Sequence, residues 1–205
     1  MNLSSAVKTE TVPLIVTILL PGALASSSYL WWLLQGAPPE MLAFLTAKES
    51  VATIGAIIVC LAVGFTIDSL GSYVEVYALD KRQKDYEAFM TTWWVYLKKQ
   101  WQTDPIGQNY LRRVLVSFKF ELNMFVACFL TIPGILLLYL SGIVTACRGC
   151  WTVLALLVLT ILFFRFAKSS SELLAEVRKR LNEIPSAPAE VAPIGSSGMA
   201  KGHQP

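Results

Sequence analysis

Four stretches of this chain contain no Asp, Glu, Lys or Arg, and no other feature limits its fold so tightly. They run from Thr11 to Pro39, Val51 to Ile67, Leu122 to Cys147 and Gly149 to Phe164. About 20 apolar residues, at 1.5 Å of helical rise each, cross the roughly 30 Å hydrocarbon core of a bilayer. The stretches therefore predict membrane-spanning helices near 12–34, 50–70, 120–143 and 150–166. The last is the shortest, and Arg165 and Lys168 can lengthen it by extending their charged ends to the headgroups. None of the four alternates with period two, and all are too long for barrel strands. Hydrophobic residues make up 55% of the chain and charged ones 15%, which leaves too little polar surface to cover a water-soluble globule. The predicted fold class is all-α, a multi-pass helical membrane bundle with four transmembrane helices.

Orientation follows from the basic residues, which accumulate in cytoplasmic loops. Fifteen of the seventeen lie before the first span, between the second and third, or after the fourth; Lys48 and Arg148 are the exceptions. Both termini are expected in the cytoplasm of a cell, most naturally at a bacterial inner membrane. Trp31 and Trp32 then fall at the outer interface. The +3 net charge reflects this orientation and contact with anionic lipid, and no nucleic-acid motif accompanies it. A rival reading takes Lys8, Val12–Leu20 and Ala23-Leu24-Ala25 as a cleavable signal peptide. Glu10 and the continued apolar run Tyr29–Leu34 weigh against it.

Within the first span, Pro21-Gly22 and the small residues Ala23, Ala25, Ser26, Ser27 and Ser28 predict a kinked helix in close contact with its neighbours. The second and third spans are expected to extend into the cytoplasm. The stripe Gly64, Asp68, Gly71, Ser72 and Glu75 continues the second, and Asp104-Pro105 offers an N-cap and first residue for the third. Together they bound a cytoplasmic helical insert, 71–119. Inside it, Tyr86, Phe89, Met90, Trp93, Trp94, Leu97 and Trp101 share one face of a helical wheel, opposite Glu87, Thr91, Thr92, Lys98 and Lys99. This amphipathic helix suits the headgroup region, packing against the bundle, or a cytoplasmic protein partner. Ser169 and Glu172 form a capping box for a separate amphipathic helix, 169–183, supported by the Glu176–Arg180 pair. From 184 to 205 the chain is rich in Pro, Ala, Gly and Ser and is expected to be disordered.

The best candidate site is a cluster of ionisable residues at the inner boundary: Asp68, Glu75, Arg113, Glu121 and Arg165. Their positions in the spans put them at similar depths, where charge is costly and usually faces the bundle interior. One reading is a ladder of ion pairs, Asp68 or Glu121 with Arg165 and Glu75 with Arg113. The other is a carboxylate-lined mouth able to bind or guide a cation. Cys147 and Cys150 form a CxxC in the outer turn, consistent with a turn-closing disulfide in an oxidising compartment, with free thiols, or with catalytic redox chemistry. Cys60 and Cys128 read as packing residues within spans. Nucleophile elbow, zincin, phosphate-loop and dinucleotide motifs are missing, and the single histidine, His203, lies in the tail. No cofactor is predicted, although Asp68, Glu75 and Glu121 have the oxygen chemistry a divalent cation prefers.

Three functions fit these features. The first is a non-enzymatic bundle that forms homo-oligomers and makes an ion or solute path or acts as a membrane effector. The second is a partner-binding membrane component in immunity, assembly or signalling. The third is a divalent-metal-dependent enzyme acting on lipid headgroups.

Overall fold

A computed structural model describes residues 15–80 and 106–183, with Glu87, Met90, Thr91, Trp94 and Val95 between them. Among the described residues, all regular structure is helical. A π-helical turn, Ile15–Leu19, leads into α1, Leu20–Gln35. Then come α2 (Pro39–Ala47), α3 (Glu49–Val74) with a second π-helical turn at Glu75–Asp80, α4 (Ile106–Leu140) and α5 (Ala146–Glu183). Four helical segments are long and apolar enough to cross a membrane: Ile15–Gln35, Glu49–Ala78, Tyr110–Leu140 and Ala146–Leu181.

Small residues bring α1 and α3 into backbone contact. A side chain at Gly22 would meet the Cys60 carbonyl and lie 2.8 Å from the Gly64 nitrogen, and a side chain at Gly64 would meet the Ile18 backbone. Residues 22 and 26 on one helix and 60 and 64 on the other are each spaced i, i+4, the pattern that lets helices approach without intervening side chains. Ser26 completes the crossing, its hydroxyl 2.7 Å from the Gly22 carbonyl and 3.5 Å from the Cys60 sulfur. Pro21 directly follows the π-helical turn, so its missing N–H removes a hydrogen bond within continuous helical backbone rather than at a free helix start. The π-helical turn joins α1 at this proline.

On its other side α1 packs against α4. Tyr29 donates to the Leu130 carbonyl at 2.7 Å, next to Pro133, which interrupts the hydrogen-bond ladder inside α4. Gly134 leaves room for Ser28, whose Cβ would lie 2.9 Å from an added side chain. Trp32 donates to Ser141 at 2.8 Å across the end of the bundle. There α4 closes in a Schellman turn: Ile143 N–H bonds to the Leu138 carbonyl and Gly142 N–H to that of Tyr139. Gly142 has φ of 71°. Gly142→Ala is expected to lower stability by about 1 kcal/mol, the cost of a Cβ in left-handed backbone, measurable as a shifted SDS-unfolding midpoint.

Helix α5 corrects one expectation. No new helix starts at Ser169; the chain remains helical from Ala146 to Glu183. Tertiary packing outweighs the capping box. Ala167, Leu174 and Leu181 recur every seven residues and bury against Phe118 and Leu122, then Leu111 and Val114, of α4. Such a heptad seam keeps two antiparallel helices together beyond their apolar segments. The Glu176–Arg180 pair forms on its outer face at 2.8 Å.

Helix α2 was not foreseen between the first two spans. Pro39 occupies its first turn and Glu40 lies in the same turn, both favourable at a helix N-terminus. Large apolar faces remain uncovered on α3, at Ile54 and Ile58, and on α5, at Trp151, Leu154, Val158 and Ile161. Surfaces of this kind require lipid or protein against them.

Of the aromatic helix 84–101, Trp94 and Val95 are helical and exposed. Tyr86, Phe89, Trp93, Leu97 and Trp101 lie outside the described residues, as do Asp104-Pro105 and the tail 184–205.

Candidate functional site

Charged and amide groups gather where α3 meets α4. Asp68, Gly71 and Ser72 on α3, and Glu75 at the start of the π-helical turn that continues it, recur at spacings of three to four residues and fall on one face. Gly71 is buried, and the other three are half-buried. On α4, Lys119 and Asn123 are one turn apart and point the same way. Lys119 Nζ donates to Glu75 Oε2 at 2.8 Å and to Ser72 Oγ at 2.9 Å. One turn further, Asn123 is fully buried. Its Nδ2 donates to Asp68 Oδ1 at 3.0 Å and to the Thr17 carbonyl at 2.9 Å. That carbonyl belongs to the π-helical turn before α1. One amide therefore ties three helical segments together.

Asn123 Oδ1 is buried and has no hydrogen-bond partner among the described residues. It faces Gly71, where an added Cβ would lie 2.6 Å away. Glycine is required at that point so that the Asn123 side chain can lie flat against α3. The same stripe of α4 continues through Ala127 and Thr131 to Gly134. Thr131 bonds to the Ala127 carbonyl at 2.8 Å and the Leu24 carbonyl at 3.3 Å.

Of the expected cluster, the structure unites Asp68 and Glu75 on one face and separates Glu121 from them. Residues 119 and 123 share a side of α4, whereas residue 121 lies about 200° around the helix from each. Glu121 instead accepts a hydrogen bond from Ser170 of α5 at 2.7 Å. The expected pairings with Arg165 and Arg113 do not form among the described residues, where both arginines are exposed. Lys119 takes the place expected for Arg113, and Asn123 the place expected for Arg165. Among the described residues no three His, Cys, Asp or Glu side chains converge as metal ligands. Asp68, Glu75 and Glu121 accordingly do not form one donor set.

Cys147 and Cys150 stand in the first two turns of α5, exposed and unbridged. Cys150 borders an apolar hollow of 410 Å³ between α4 and α5, with Leu136, Tyr139, Val153 and Leu157 among its walls. Cys128 is buried, as expected of a packing residue, and Cys60 is partly buried at the α1–α3 crossing.

No protein-family model, curated protein or solved structure matches this chain.

Lys119 and Asn123 were legible in principle. Asn123 is the first strongly polar side chain inside a charge-free stretch, and it follows Lys119 by one helical turn. Depth along a span does not fix which way a side chain faces; helical phase does. Thr17 contributes a backbone carbonyl, which no side-chain pattern announces.

Proposed function

We propose that this chain is a multi-pass membrane protein of non-enzymatic type, with both termini in the cytoplasm, whose copies assemble into a path for an ion or small solute. The observation that carries the reading is the file of charged and amide groups between α3 and α4: Glu75, Lys119 and Ser72, then Asp68 and Asn123. Ionisable groups inside membrane helices are expensive and characteristically mark ion or substrate routes. The file begins at the charged end of α3 and α4, which the basic residues orient toward the cytoplasm. Assembly is supported by the uncovered face of α3, where Gly55 has open space around it and a second helix could approach closely.

Reconstituted vesicles test this reading. Asp68→Asn is expected to lower cation flux by roughly tenfold or more, because a charge lining the route is removed, with helical content and oligomer mass unchanged. Equal flux through both proteins would count against the path.

A second reading has one observation in its favour. Trp94 and Val95 lie exposed on a helical backbone between α3 and α4, so the insert can offer an aromatic face to a cytoplasmic protein. Trp94→Ala is expected to abolish co-purification of such a partner at unchanged expression. A single purified species under all conditions would remove this alternative. The headgroup-enzyme reading required Glu121 beside Asp68 and Glu75, and the two faces of α4 separate them.

A further inference from the structure

We propose that Asp68, Asn123 and the Thr17 carbonyl form a binding site for a small monovalent cation of the Na⁺ type. The inference deepens the ion-path reading and rests on it, naming the ion class and its ligands. Two independent observations support it.

The first is an uncompensated charge. Asp68 lies half-buried in an apolar bundle and has no cationic partner among the described residues. Lys119, the nearest basic group on the facing helix stripe, is engaged by Glu75 and Ser72. Arg113 and Arg165 are exposed. Among the described residues, the only side chain that donates to the Asp68 carboxylate is the neutral Asn123 amide. A carboxylate so placed retains most of its attraction for a positive ion.

The second is the unpartnered oxygen of Asn123. Its Nδ2 lies where two oxygens converge, Thr17 O at 2.9 Å and Asp68 Oδ1 at 3.0 Å, while Oδ1 faces Gly71 with no partner. A half-turn of the amide exchanges the two atoms, and the glycine leaves room for either. In that orientation Oδ1 meets two other oxygens, an arrangement that repels itself unless a cation sits among them. The two amide orientations therefore correspond to an ion-free and an ion-bound state. In the first, the amide hydrogens occupy the position the ion takes in the second.

The ligand set selects the ion. All three donors are oxygens, which suit hard cations. One carries a full charge and two are neutral, so the site balances one positive charge rather than two. The Thr17 carbonyl belongs to a π-helical turn, and irregular helical backbone is the usual source of carbonyl ligands for Na⁺ within membrane bundles.

Thermal unfolding of the purified full-length chain in detergent, in NaCl against choline chloride at equal ionic strength, tests the site. Wild type is expected to gain stability saturably with Na⁺. Asp68→Asn should lose that response, and Asn123→Ala should weaken apparent Na⁺ affinity by roughly tenfold or more, the scale on which lost oriented partners reduce ion binding. Each variant is compared with itself in choline, so a lower baseline stability does not obscure the result. Absence of a Na⁺ response in wild type, or an undiminished one in Asp68→Asn, overturns the proposal. Vesicle flux separates the two claims: flux without Na⁺ binding removes this site and keeps the path, whereas Na⁺ binding without flux keeps the site and removes the path.

Discussion

The Gly22→Leu chain is expected to lose at least about 3 kcal/mol of stability, the upper end of the usual cost of overpacking, and to release α1 from α3. The obstacle is backbone rather than a side chain that can rotate away. A Cβ at residue 22 meets the Cys60 carbonyl and lies 2.8 Å from the Gly64 nitrogen, so relief requires one helix to move bodily. Proximity of Ser26 to Cys60, 3.5 Å between Oγ and Sγ, provides a direct readout. In a Ser26→Cys background, mild oxidation is expected to join residues 26 and 60. Adding Gly22→Leu should suppress that cross-link while leaving the α4–α5 seam, with its separate core of Leu111, Val114, Leu174 and Leu181, intact. An undiminished cross-link with an unchanged unfolding midpoint would show that the crossing tolerates separation.

The same crossing supports the candidate site. Thr17 precedes Ile18, and Ile18 is buried against Gly64. The carbonyl that meets Asn123 is therefore positioned by the small-residue contact one turn away. Displacing α1 should consequently remove one of the three proposed ion ligands even though residue 22 touches none of them. A Gly22→Leu protein that still folds is expected to respond more weakly to Na⁺ than wild type.

Much of the architecture is legible in the sequence because the bilayer-length apolar stretches are strong signals. Four uncharged windows became four long apolar helices, and the continuation of the second window past Asp68 followed from the unbroken stripe through Glu75. The signals that misled were local ones overruled by packing. Ser169 and Glu172 make a sound capping box, yet the heptad of Ala167, Leu174 and Leu181 holds α5 in one piece against α4. Helix α2 is weakly signalled because nine residues between spans resemble a loop, although Pro39 and Glu40 are good helix-starting residues. At the site, equal depth suggested that Asp68 and Glu121 were neighbours. Helical phase decides otherwise: two residues along α4 turn a side chain from α3 toward α5.

Reversing a single charge at the Glu75–Lys119 contact is the next largest expected effect. The two side chains meet at 2.8 Å and are 25% and 29% exposed, respectively. Lys119→Glu would set two carboxylates against each other, a repulsion of about 4 kcal/mol at 4 Å and an effective dielectric near 20. Solvent access at this exposure reduces the expected loss to on the order of 2 kcal/mol. The double reversal, Lys119→Glu with Glu75→Lys, restores opposite charges and should recover most of it, which a double-mutant cycle in denaturant would measure. Recovery would establish the pair as a fastening between α3 and α4. It would also bear on Asp68: with Lys119 held by Glu75, that carboxylate lacks a cation, whereas Glu75→Gln frees the ammonium to approach it. Glu75→Gln is therefore expected to weaken Na⁺ binding without removing any proposed ligand. If Na⁺ affinity rises or stays constant in Glu75→Gln, Lys119 does not compete for Asp68, and the uncompensated charge of Asp68 owes nothing to this ion pair.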